Sequence, residues 1–251
     1  MKRKSTVYLL WLLCLPTCLL SAQERTPAGW EFKINAGTNV GGTSPLPLPQ
    51  EVRKIESFSP LPLAPHVALE AIRRLNERWG VSVQLALDHK GFDVTDRVKN
   101  LHTEIKIGDE LYTGNFTGQN TTQIRNSYVT LPVAASYRPT TRWELQAGAY
   151  LAYLYSAHFK GTASDGYIRR GSPIGEKTIV DRASFDFSEQ QNRFDYGALV
   201  AGEWHLGDRS RFALRGQIAW GLAPLFPSDF TGIPVHMYNI YGTLGLSYRL
   251  H

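Results

Sequence analysis

Asp88 and His89 set a carboxylate beside an imidazole, the pairing from which general-base catalysis is built. On a strand, however, consecutive side chains point to opposite faces, so this pair makes a poor dyad. A lipid-deacylating barrel enzyme would carry a His-x-Ser pair with a carboxylate. His158-Phe159-Lys160 and His205-Leu206-Gly207 both lack that serine. The seven histidines (His66, His89, His102, His158, His205, His236, His251) follow no metal-ligand spacing. Gly37-Thr38-Asn39-Val40-Gly41-Gly42 has none of the Gly-Lys-Ser/Thr ending of a phosphate loop. We therefore assign no catalytic, cofactor-binding or metal residue, and expect a protein that is not an enzyme.

A second set of polar residues has a different regularity. Lys33, Glu70, Asp88, Glu144, Gln146, Asp195, Glu203, His205, Arg215 and Arg249 recur on one face of alternating runs. Charges of both signs enclosed in a small space should pair into a hydrogen-bonded plug, because an unpaired buried charge is very costly. On this reading Asp195 is structural, partnered by an arginine such as Arg215 or Arg249 and fixing the register. The competing use of such residues is a proton or ion pathway.

Positioning that face requires strands. Alternation marks eight runs: 30–40, 66–75, 79–89, 128–138, 142–162, 192–206, 211–222 and 237–250. The second run is ambiguous, since Ala68 to Leu75 also fits an amphipathic helix; Asn76-Glu77-Arg78 reads as a tight turn and favours the strand. Connections alternate in length. Turns at 76–78, 139–141 and 207–210 are short, whereas 43–65, 90–127, 163–191 and 223–236 read as long, polar or proline-rich loops. Aromatics such as Trp30, Trp79, Trp143, Tyr153, Phe194, Trp204, Phe212, Trp220 and Tyr248 gather towards strand ends, as membrane-interface girdles do. This pattern predicts an all-β fold: an eight-stranded antiparallel up-and-down transmembrane β-barrel with long extracellular loops, both termini on the periplasmic side.

The first residues serve a different purpose. Lys2, Arg3 and Lys4 precede the apolar run Val7–Leu20, and Leu20-Ser21-Ala22 offers small residues for cleavage, so 1–22 reads as a cleaved signal peptide and 23–251 as a single barrel domain. Both cysteines, Cys14 and Cys18, lie in the cleaved part, leaving no disulfide and no thiolate site. The chain has 27 basic and 22 acidic residues; losing Lys2, Arg3 and Lys4 leaves 24 against 22, so the basic excess is a targeting signal rather than a nucleic-acid footprint. A mean hydropathy of −0.25 suits strands that alternate faces.

Four stretches carry a family resemblance: Asp88-His89-Lys90-Gly91 after the third run, Tyr128-Val129-Thr130-Leu131-Pro132-Val133 in the fourth, Asn192-Arg193-Phe194-Asp195-Tyr196-Gly197 opening the sixth, and Gly245-Leu246-Ser247-Tyr248-Arg249-Leu250 closing the last. In order and spacing they resemble PorT-like outer-membrane β-barrels, over roughly Trp30 to Leu250. The chain departs from such barrels at its end, Arg249-Leu250-His251, where an aromatic residue is usual.

The resemblance implies an outer-membrane protein of the bacterial envelope, reached by secretion through the inner membrane. Its expected partners are outer-membrane lipid, the barrel-assembly machinery and another envelope protein met through the loops, with no nucleic acid and no cofactor. The expected work is surface interaction, structural support or membership of an envelope or secretion complex. The alternatives are a narrow channel or transporter for small solutes or ions, and a barrel enzyme modifying outer-membrane lipid.

Overall fold

The computed structural model describes residues 29–250 apart from 46, 109, 171–173, 208, 209 and 234. The expected signal peptide with Cys14 and Cys18, the centre of the 207–210 turn, Pro234 and His251 lie outside the described residues. Among the described residues eleven strands follow one another: β1 Trp30–Pro45, β2 Val52–Pro60, β3 Pro65–Arg74, β4 Trp79–Ile107, β5 Glu110–Tyr137, β6 Trp143–Ser156, β7 Phe159–Arg169, β8 Lys177–Asp186, β9 Phe194–His205, β10 Phe212–Gly221 and β11 Met237–Arg249. All pairings are antiparallel. They run β1–β3–β4–β5–β6–β9–β10–β11 and return to β1, so this part of the sheet has no free edge. The ambiguous second run is strand β3, paired residue for residue with β1 and β4.

Among the described residues eleven strands stand where eight were expected; the surplus comes from the 43–65 and 163–191 stretches and from a break in the fifth run, while the 90–127 stretch lengthens two expected strands. The 43–65 stretch contains β2, paired to the upper part of β4. The 90–127 stretch is no loop: β4 and β5 continue through it as a hairpin that turns at Gly108, whose φ of +61° suits glycine. The 163–191 stretch supplies most of β7 and all of β8, and the fifth run breaks near residues 157–158 into β6 and β7. One physical reason covers the 90–127 and 163–191 stretches. The glycines, threonines and asparagines that read as turn formers stand in ladders here, and every second residue (Phe116, Ile124, Ile168, Val180) faces an apolar cluster. A bulge between Val98 and Leu101, with Asn100 at a φ of 58°, breaks the alternation within β4. The described residues of 223–236 carry no strand.

The eight cyclic strands have an apolar outside. Val67, Leu69, Val83, Leu85, Leu131 and Leu214 are among its exposed residues. Two aromatic rims border it. At the short-turn end Trp79 packs tilted against Tyr137 (4.6 Å between centroids) and Phe212 against Tyr248 (4.9 Å). At the opposite end Tyr153 meets Phe194 at 5.4 Å. The turn before β4 is held by the Asn76 side chain, which accepts from the backbone N–H groups of Arg78 (2.9 Å) and Trp79 (2.8 Å).

Candidate functional site

Three layers fill the inside of the sheet. The lowest, next to the short turns, is ionic. Lys33 Nζ donates to Glu203 Oε2 at 2.7 Å and to Glu144 Oε2 at 3.2 Å. Arg74 donates to Glu144 at 2.7 Å and Glu31 at 2.9 Å, and Arg138 donates to the same two glutamates. Arg215 reaches Glu203 at 2.5 Å and Gln146 at 3.1 Å. Gln146 and Asn35 in turn donate to the two oxygens of Glu70, at 2.7 and 3.0 Å. Arg249 closes the layer at its mouth, 3.0 Å from Glu31. Four glutamates and five basic side chains thus neutralise one another nearly completely, which is how so many buried charges are tolerated.

The middle layer is a hydrogen-bonded ring. Asp88 accepts from Asn39 (3.0 Å) and Thr130 (2.7 Å) and lies 2.7 Å from His66 Nδ1. Asp195 accepts from the Tyr150 hydroxyl at 3.1 Å and from Asn239 Nδ2 at 3.0 Å. Lys90, buried, points its ammonium at the rings of Tyr128, Tyr150 and Tyr241, 5.0–5.5 Å away.

The structure brings together nine of the ten residues expected to face inward as buried interior groups; Arg249 is the partly exposed tenth. The expected Asp195–arginine pair is corrected. Arg215 stands opposite Glu203 in the β9–β10 register, whereas Asp195 lies level with the far end of β10, near Gly221. Its partners are therefore a tyrosine and an asparagine. Sequence reasoning left out Glu31, Arg74 and Arg138 from the plug. Each continues the inward parity of its strand, and that parity was the available signal. Glu144, Glu203 and His205 bring three ligand-type atoms within 4.8 Å of one another. Lys33 already bridges the two carboxylates, so a cation there would have to displace its ammonium.

Above the ring lies an apolar chamber of about 200 Å³. It is partly open and bordered by the upper parts of β4 and β5 with β1, β2, β7, β8, Ile233 and Val235, and Ile105, Phe116, Ile124, Phe159 and Phe185 line its walls. Asp96 of β4 is only 8 % exposed and borders this chamber, its carboxylate accepting from Asn120 Nδ2 at 3.2 Å. Burial pushes its carboxyl up to about 6, and the nearby Glu56 carboxylate works in the same direction.

An ionic interior, an apolar outside and two aromatic rims define a sheet built to stand in a bilayer and closed so that no strand edge meets lipid. The chain belongs to the outer membrane protein beta-barrel domain family, whose model matches residues 21–227, and it lies in the bacterial outer membrane. No curated protein sequence matches it. Among solved structures it is similar to the attachment invasion locus protein Ail of Yersinia pestis. The crystal structure of Ail with the heparin analogue sucrose octasulfate is 11% identical at a TM-score of 0.38, covering 88% of this chain and 97% of that one. A crystal structure of Ail described without that ligand gives 12% and 0.39 over the same shares. The backbone structure of Ail in a phospholipid nanodisc gives 13% and 0.36, covering 88% of this chain and 100% of that one.

Proposed function

We propose that this is an eight-stranded outer-membrane barrel, exported by a signal peptide at 1–22, that catalyses no reaction and works as a surface-interaction component through the sheet at its long-connection end. One observation carries the reading. β4 and β5 run for 29 and 28 residues, whereas a strand needs about 9–11 to cross a bilayer. The remainder, with β2, β7 and β8, builds a rigid platform beyond the rim, and loops or platforms on a rigid barrel are where recognition resides. Strand β2 exposes nearly every residue, including Arg53, Lys54, Ile55 and Phe58, and pairs with β4 on one side only. The partner is another envelope protein; lipid covers the belt, and the assembly machinery inserts the barrel.

The resemblance to PorT-like barrels supports a place near that group, and three of its four stretches supply Asp88, Lys90, Tyr128 and Asp195 to the middle layer. The neutralised plug stands against steady ion conduction, and planar-bilayer recordings should show no defined steps.

A photo-reactive residue at Ile55 in intact cells tests the function, with Leu85 on the belt as control. The expected outcome is a discrete protein adduct from position 55 and lipid adducts alone from position 85. Lipid-only or absent adducts at 55, 58 and 97 would remove the surface-interaction role.

A further inference from the structure

We propose that the chamber under the β4–β5 hairpin binds a small apolar molecule carrying a protonated amine, with Asp96 as its counter-ion. The chamber shares Ile55 and Phe58 with platform strand β2, but the proposal is argued from the lining and the charge balance around Asp96 and does not rest on the protein partner proposed above.

Three observations support it. The chamber's about 200 Å³ exceeds the roughly 150 Å³ of an apolar protein cavity that accommodates a benzene ring. Its walls are overwhelmingly aliphatic and aromatic, with few polar groups facing in, the arrangement of sites that bury a ligand's apolar body and fix one polar end.

The third observation is the charge balance. Asp96 makes no ion pair among the described residues. Its one side-chain partner is the neutral amide of Asn120, and the charged group beside it is another acid, Glu56, which already holds Arg97 and Gln119. The buried cation closest in sequence, Lys90, is turned instead into its cage of three tyrosines. A carboxyl walled by apolar side chains and lacking a cation is complementary to one brought by a ligand. A charge-assisted hydrogen bond in such surroundings is stronger than a neutral one. An acid or a phosphate would meet repulsion from Asp96 and Glu56, so the charge sign selects the ligand class.

The test uses the full-length folded protein in lipid nanodiscs, which keeps detergent tails out of the chamber. Phenethylamine and phenylethanol are titrated at neutral pH while the methyl signals of Ile105 and Ile124 are followed. Empty nanodiscs are the reference for partitioning into lipid. The expected result is a saturable shift of both methyls, with the amine binding about tenfold more tightly than the alcohol. In Asp96→Asn the two compounds should bind alike. Absence of saturable shifts, an alcohol that binds as tightly as the amine, or an amine preference that survives Asp96→Asn would each overturn the proposal.

Discussion

Lys33 of β1 and Glu203 of β9 are 170 positions apart in sequence and 2.7 Å apart inside the protein. Their strands are not neighbours: β11 and β10 lie between them on one side, and β3, β4, β5 and β6 on the other. The contact therefore crosses the lumen, and Lys33 extends it to Glu144 of β6. A single ammonium, 1 % exposed, ties opposite walls of the ring together.

Removing that ammonium leaves Glu144 and Glu203, both fully buried, short of one positive charge. Lys33→Met should cost about 3–5 kcal/mol, the range for breaking a buried ion pair from one side. Urea unfolding of the protein in liposomes measures the loss. Lys33→Met combined with Glu203→Leu should recover part of it, while an unchanged midpoint for the single variant would show that the crossing contact contributes nothing.

Asp195→Ala removes the carboxylate oxygen, Oδ2, that accepts from both the Tyr150 hydroxyl and Asn239 Nδ2. The expected destabilisation is about 1–3 kcal/mol, the cost of leaving a buried donor unmatched. It would appear as a lower temperature for the shift in gel mobility on heating in SDS. A variant as heat-resistant as the parent would deny Asp195 its structural role.

Asp96 makes the platform sensitive to pH. Its folded-state pKa of about 6 lies above the ordinary value of 3.8, so the folded state binds more protons between those limits. By linkage, the stability present at the acid end of this window is lost as pH rises through it. After correction for intrinsic exchange, the amides of 91–98 and 118–124 should exchange faster at neutral pH than at mildly acidic pH. Asp96→Asn should flatten the difference. Equal protection in the parent at both pH values would contradict the assignment.

Leu85 faces outward from the middle of the belt, exposed on the protein surface. If lipid covers it, Leu85→Arg should cost roughly 2–4 kcal/mol in liposome unfolding, as for cations placed at the bilayer midplane of barrels. Lys54→Glu on β2 should change stability by less than about 0.5 kcal/mol, as at an ordinary surface site. Equal effects at the two positions would remove the belt.

The contrast between Lys33 and Asp195 shows what the sequence made legible. Parity along a strand reveals which side chains point inward, and the alternation from Trp30 to Ala36 assigned Lys33 without ambiguity. Partner choice depends on height along the ring, which is set by the stagger between neighbouring strands. Arg215 thus met Glu203, and Asp195 met Tyr150. The platform was hidden for a related reason. Asn100 and Gly108 both take left-handed backbone and read as loop residues, yet the first sits in a bulge and the second in a two-arm turn of one long hairpin. Asp96 was invisible because its meaning comes from Phe116, Phe159 and Phe185, which three other segments bring around it.

In the function proposed above, the long-connection platform faces the outside of the cell. Outside residues 1–22 the sequence contains no cysteine, so single cysteines can report this cleanly. Intact cells carrying Lys54→Cys on β2 or Glu77→Cys in the β3–β4 turn are treated with a membrane-impermeant maleimide. The expected result is labelling at position 54 in intact cells and at position 77 only after the outer membrane is opened. Labelling of position 77 in intact cells, with position 54 protected, would turn the barrel the other way round and rule out a surface role for the platform.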